Sequence, residues 1–409
     1  MSGRIESTTL LQSLMATAFR ECDAAARDPS RRVAWCSSVG PVELLRALDF
    51  TVFFPENHAA MLGASRMSTG LIPFANAEGF SPEVCSYMTS DIGAFRRNVT
   101  PLSRVDPSIT SVPKPDVLVY DSNQCRDVVD WFSFYGRELG VPVIGVAAPR
   151  GVQEPTEDLV AAVASQIRAL VSPLEAIAGR RLDPDRLREA VAVSRDTSDL
   201  WRSVLSCGEA LPSPLTFFDG CIHMGPAVVL RGDPRALEYY RALLAELQAR
   251  IAAGQGAVSG ERVRLYWDGM PVWGRLRDLS DLLAGLGASV VGSTYCSSWV
   301  FGQLDPDEPF DSMARAAIEL FIARTDAVKE MVLAGEALRY RVDGIVFHDA
   351  KTCPNNSNCR YGMPARLREG KGLASVIVHS DLNDLRLHAD EGVRLALEAF
   401  VEQCLEARR

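Results

Sequence analysis

Asp116-Val117-Leu118-Val119-Tyr120-Asp121-Ser122-Asn123-Gln124-Cys125 and Gly344-Ile345-Val346-Phe347-His348-Asp349-Ala350-Lys351-Thr352-Cys353 follow one pattern: a short apolar run, a polar turn, then a cysteine. Apolar runs of this length, without polar alternation, fit strands buried on both faces of a parallel sheet. The cysteine then falls where the next helix begins. A third cysteine, Cys85, lies in Ser81-Pro82-Glu83-Val84-Cys85-Ser86-Tyr87, which reads as a helix opening with Ser81 as N-cap and Pro82 in the first turn. In open α/β sheets ligands gather beyond the carboxyl ends of the strands, where helix N-termini favour anions such as thiolates. Cys85, Cys125 and Cys353 are therefore expected to converge in one crevice, and an iron-sulfur site is the leading reading.

Working outward, the strand-helix rhythm recurs on both sides of a helical stretch. A helix from about Glu6 to Ala26 precedes the strand Arg32–Cys36, a helix opened by Pro41, a strand from Thr51 to Phe54, the Cys85 helix, the strand ending at Tyr120, a helix from about Asn123 to Leu139 and a strand over Val141–Val146. From about Glu154 to Arg250 the spacing is helical, as in Leu159, Val163, Ile167 and Leu170, with a break at Leu211-Pro212-Ser213-Pro214. A second alternation follows: a strand from Val263, a helix after Arg275, a strand over Ala288–Gly292, one long helix from about Phe310 to Gly335, the strand ending at His348, a helix after Asn355, a strand over Ser375–Val378 and a last helix from about Asn383 to Leu405. This order predicts two Rossmann-like, flavodoxin-like parallel-sheet domains of the α/β class, at 1–150 and 259–409, flanking a helical insert at 151–258.

The 409 residues are 47% hydrophobic, enough for two cores, and carry a net charge of −9 with no basic run, which disfavours nucleic acid and anionic membrane as partners. No stretch reaches the roughly 20 apolar residues of a membrane span, and a cytoplasmic location is expected. Ten cysteines in such a chain read as thiols or metal ligands rather than a disulfide framework. The closest pair is Cys353 and Cys359, so no CxxC pair exists. His348, Cys353 and Cys359 match no compact zinc module. There is no GxxxxGK[ST] loop and no GxSxG elbow, and Gly285-Leu286-Gly287 precedes a strand instead of following one. Cys22, Cys207 and Cys404 fall within helices and read as structural, while Cys36 and Cys296 sit near strand ends and Cys221 and Cys359 in irregular segments.

With these residues placed, the chain resembles subunits of the 2-hydroxyacyl-CoA dehydratase and benzoyl-CoA reductase family over nearly its whole length. The resemblance is carried by Gly40-Pro41-Val42-Glu43-Leu44-Leu45-Arg46-Ala47, Phe54-Pro55-Glu56-Asn57, Cys85-Ser86-Tyr87, Cys125 after its strand, and Lys351-Thr352-Cys353 after Asp343–His348. It implies that Cys85, Cys125 and Cys353 hold one [4Fe-4S] cluster. It further implies electrons received from a separate ATP-dependent activator protein and passed to an acyl-CoA substrate, with a homologous second subunit or a second copy as partner. Glu56, His58, Ser86 and His348, beside the cysteine loops, are the acid/base candidates. The chain departs from the family pattern after Cys85, where Ser86-Tyr87-Met88-Thr89-Ser90 lacks an arginine, and in the asparagine-rich loop Pro354–Cys359. A related branch holds a double-cubane [8Fe-9S] cluster through further cysteines, for which Cys221, Cys296 and Cys359, or Cys36, are the candidates here. A non-catalytic partner subunit with the same fold is the remaining reading.

Overall fold

A computed structural model describes residues 5–408. Two four-stranded sheets, all parallel, organise it. The first holds β1 (Arg32–Cys36), β2 (Phe50–Phe53), β3 (Val117–Asp121) and β4 (Val143–Val146), in the order β2-β1-β3-β4. The second holds β5 (Val263–Asp268), β6 (Ala288–Ser293), β7 (Gly344–Ala350) and β8 (Ala374–Ser380), in the order β6-β5-β7-β8. Relabelled within each half, both orders are 2-1-3-4, the flavodoxin-like arrangement. The α/β class and the two Rossmann-like sheets are as expected. The central strands are buried on both faces, as the unbroken apolar runs require: all six residues of β5 are buried, with Arg264 neutralised by Glu261 at 2.6 Å and by backbone carbonyls.

Between the sheets the chain is helical from Glu157 to Ala252, and the two longest of these helices, Pro184–Ser206 and Arg235–Ala252, pack on each other. The apolar stretch Glu157–Ala178 is long enough by composition to span a bilayer, which the sequence reading did not anticipate. It breaks at Leu170 into two helices and buries Val160, Val163, Ala164 and Ile167. The first helix, Thr8–Arg27, packs against β1 and β2 and against the insert.

Several boundaries move, each for a local reason. The helix expected from Pro82 begins only at Ser86, because the Ser81 hydroxyl accepts from Glu83 N in a tight turn and Cys85 takes an extended ψ of 122°. The helix expected from Asn123 begins at Arg126, since Asp121 accepts from Asn123 N at 2.9 Å and holds a turn there. The single helix of 310–335 is two, Pro309–Ile318 and Asp326–Arg339, the second started by the Thr325 side chain accepting from Val328 N. After Asn355 come two short 3₁₀ turns before the helix Met363–Lys371, and the last helix starts at Asp390. Cys221 is helical, within Phe217–His223, and Cys359 lies in a 3₁₀ turn.

The Cys85 helix is set by close packing on its neighbour Ser68–Ala77: a Cβ on Gly93 would fall 2.1 Å from the carbonyl oxygen of Leu71, a backbone atom that cannot yield. Gly93→Ala is therefore expected to destabilise the fold by about 2 kcal/mol or more. Gly70→Ala, in the Ser68–Ala77 helix with open space around the new methyl, is expected to stabilise by up to about 1 kcal/mol. Denaturant titration of the two variants checks the opposite signs.

Candidate functional site

The carboxyl ends of both sheets open onto one cavity of about 650 Å³. Each sheet's switch point, where successive connections leave in opposite directions, contributes its loops: Ser38 after β1 and Cys125 after β3 from the first, Met270 after β5 and Cys353 after β7 from the second. Cys85 completes the set. The three cysteines share one backbone position. Cys85 and Cys125 are the N-cap residues of the helices Ser86–Arg97 and Arg126–Leu139, and Cys353 is the N-cap of the 3₁₀ turn Pro354–Asn356. For Cys353 the turn is too short to carry a helix dipole, so the dipole expectation holds for two of the three.

Two carboxylates the sequence reading missed tie the cysteine loops together. Asp127 accepts from Cys85 N at 2.9 Å, joining the Cys85 turn to the helix that Cys125 caps. Asp381, fully buried just after β8, accepts from Thr352 N at 2.9 Å, from Thr352 Oγ1 at 2.7 Å, from the Ser86 hydroxyl, and from Asn383 N and Asp384 N at 3.1 and 3.0 Å. Ser86 N donates in turn to Thr352 Oγ1 at 3.0 Å. The Cys85 and Cys353 loops are thus pinned to one carboxylate.

Burial pushes the Cys125 and Cys353 thiols up to about 12 and Cys85 well above the ordinary thiol value. Mutual repulsion adds to this, Cys125 and Cys353 acting on Cys85 and Cys125 on Cys353, while backbone N–H groups of Met88, Val128, Asp127 and Asn356 pull the other way. Three desolvated sulfurs within reach of one another's charge form a soft donor set that a cationic centre would relieve. Among the described residues no three His, Cys, Asp or Glu side chains gather around one point as a single ion needs, which weighs against zinc at His348, Cys353 and Cys359. A cluster would instead spread its ligands over several irons.

The acid/base candidates separate. Glu56 lines the cavity, accepts from Ser38 N at 2.5 Å, and is raised above the usual carboxylate range by burial. His58, two residues on, faces the other side of its helix: Nδ1 bonds Asp91 at 2.5 Å, Nε2 meets Thr100 Oγ1 at 2.9 Å, and Tyr135 donates to the second Asp91 oxygen at 2.5 Å. Ser86 spends its hydroxyl on Asp381. His348 bonds the Met270 carbonyl through Nδ1 at 2.5 Å beneath the cavity, and burial lowers it to about 4, so it stays neutral through the physiological range. Of the four, only Glu56 reaches the cavity. Among the further cysteines only Cys221 lines it. Cys296 lies behind Gly220, Cys36 under Gly40, and Cys359 packs in a separate core with Tyr266 and Phe347. The remaining walls are largely apolar and aromatic, including Trp131, Trp273, Tyr295 and Trp299.

Residues 37–404 match the family described as 2-hydroxyglutaryl-CoA dehydratase, D-component. The chain belongs to this family. It is 27% identical to the (R)-2-hydroxyisocaproyl-CoA dehydratase alpha subunit of Clostridioides difficile, over 100% of this chain and 98% of that protein. It is 28% identical to the lactoyl-CoA dehydratase alpha subunit of Anaerotignum propionicum, covering 96% of each, and 27% identical to a benzoyl-CoA reductase subunit of Thauera aromatica, over 90% of this chain and 87% of the relative.

If Asp381 holds the two cysteine loops, Asp381→Ala strands several buried donors and is expected to destabilise by about 3 kcal/mol or more, each unmet donor costing roughly 1–3 kcal/mol. Ser86→Ala, which leaves the carboxylate its other donors, is expected to cost about 1–2 kcal/mol. Chemical denaturation of both variants gives the comparison.

Proposed function

We propose that this chain is the cluster-bearing subunit of an acyl-CoA dehydratase or reductase, with Cys85, Cys125 and Cys353 holding a [4Fe-4S] cluster beside an acyl-CoA thioester. The observation that carries the reading is the meeting of three N-cap cysteines, from both halves of the chain, in one substrate-sized cavity with apolar walls. A cluster held by Cys85, Cys125 and Cys353 would supply one-electron reduction and Lewis-acid polarisation of the thioester carbonyl. The chain's own residues do the rest. Asp127 and Asp381 hold the ligand loops in register, the aromatic walls exclude water from a reactive acyl group, and Glu56 keeps a proton-exchanging oxygen at the cavity wall. The absence of any P-loop sequence supports electron delivery by a separate ATP-driven activator, and the subunit names of the relatives support a homologous partner. Four of the ten cysteines lining the cavity, rather than six converging there, favour a single cubane over the double one.

Anaerobic purification with iron and sulfide analysis tests this. About four irons per chain are expected, against about eight for a double cubane. Cys85→Ala, Cys125→Ala and Cys353→Ala should each lose most of the bound iron and the paramagnetic signal of the reduced protein, whereas Cys22→Ala and Cys404→Ala, neither of which lines the cysteine cavity, should keep both. Full iron retention in all three ligand variants would sink the assignment. Turnover with reduced activator, ATP and a panel of 2-hydroxyacyl-CoA and aromatic acyl-CoA compounds then separates dehydration from ring reduction.

A further inference from the structure

The asparagine-rich loop that follows Cys353 rests on a buried ammonium. Lys329, near the start of the helix Asp326–Arg339, is only 8% exposed. Its Nζ donates to Asn358 Oδ1 at 3.1 Å and to the Asn355 carbonyl at 3.4 Å, and lies 5.7 Å from the centre of the Phe321 ring. Two acceptors and a ring face all suit a cation. A lysine is rarely buried without a counter-ion, yet among the described residues no carboxylate lies within ion-pair distance of this one. Asn358 stands in between: its Nδ2 donates to both oxygens of the buried Asp268, at 3.1 and 3.0 Å, and Thr294 donates to the same carboxylate at 2.9 Å. One amide thus separates the ammonium from the charge that would cancel it.

The other side of the loop belongs to the cysteine cavity, which Cys353, Asn355 and Asn356 all line. Burial lowers the Lys329 ammonium below its ordinary value, and the charges of Asp268, Asp326 and Cys353 oppose that, so the Cys353 sulfur is within its electrostatic reach. The carboxylates Asp127, Glu56 and Asp381 act on the three thiols in the opposite sense, disfavouring negative charge there. Lys351, two residues before Cys353, is no substitute: its side chain is 53% exposed and pairs with Glu83 at 3.1 Å, where water screens it.

We propose that Lys329 is a fixed positive charge that raises the reduction potential of the centre held by Cys353, acting from beneath the Pro354–Cys359 loop. The inference rests on the cluster reading. Reduction adds negative charge to the site, and a cation held in a desolvated setting favours the more negative state. This gives the asparagine at position 358 its role: the amide offers an acceptor to Lys329 and a donor to Asp268, and so holds both without letting them neutralise each other.

The test is an anaerobic potentiometric titration of the iron-loaded protein, followed by the paramagnetic signal of the reduced form, with iron counted in every variant. Lys329→Met removes the charge at similar length, and Lys329→Gln removes it while keeping a side-chain donor for the loop. Each is expected to retain its iron and to lower the equilibrium constant for one-electron reduction by about tenfold, a midpoint about 59 mV more negative. Lys351→Met, which removes an exposed charge nearer in sequence, is expected to change that constant by less than about twofold. If Lys329→Gln keeps both the iron and the wild-type midpoint, Lys329 is only a brace for the loop, and the proposal falls while the cluster reading stands. The same holds if both Lys329 variants lose iron that the wild type retains. If the wild type itself binds no iron, the cluster reading fails and takes this proposal with it.

Discussion

One buried carboxylate decides whether the two halves of this protein share a site. Asp381 directly follows the last strand of the second sheet, yet one of its donors, the Ser86 hydroxyl, belongs to the first half, and another, Thr352, immediately precedes Cys353. A carboxylate taken out of water is costly unless hydrogen bonds replace its hydration, and here five donors converge on it. Each of those donors fixes a piece of backbone. The register between Cys85 and Cys353 follows from satisfying one charge, and Asp127 does the same between Cys85 and Cys125.

The duplicated 2-1-3-4 order gives that register its purpose. A single sheet of this kind offers a shallow crevice at its switch point, open on the far side. Two such sheets with their carboxyl ends turned to a common cavity close each other's crevice, and the cavity walls draw on loops after β1, β3, β5 and β7. The three cysteines thus reach one cavity from both halves of a single chain.

Much of the fold was legible because strands buried on both faces must be apolar throughout, and Asp116–Asp121 and Gly344–His348 could be little else. Helix starts were less legible, because side chains such as Ser81 and Asp121 hold local turns that compete with helix and delay it by several residues. Cys85, Cys125 and Cys353 were readable as a group from their shared placement. Asp381 was not: a carboxylate after a strand reads as an ordinary turn residue, and only the cluster Asp381-Leu382-Asn383-Asp384 after an apolar run hinted at a capped strand end. His58 was grouped with Glu56 by sequence distance, but residues two apart on a helix point to opposite sides. Its partners, Asp91, Thr100 and Tyr135, come from three other segments, and no local pattern announces them.

Dryness and charge then pull against each other in the cysteine cavity. The aromatic walls that would keep water from a reactive acyl group also strip hydration from three sulfurs, and burial leads the causes that raise all three thiols. What offsets that cost is backbone: the N–H groups of Met88, Val128, Asp127 and Asn356 favour the ionised sulfurs. Placing each cysteine at an N-cap is what makes those donors available, since the first turn leaves its N–H groups without helical partners. Burial still outweighs that help, since all three thiols stay above the ordinary value; the capping position that recurs in the three segments lowers the cost of ionising the sulfurs without removing it.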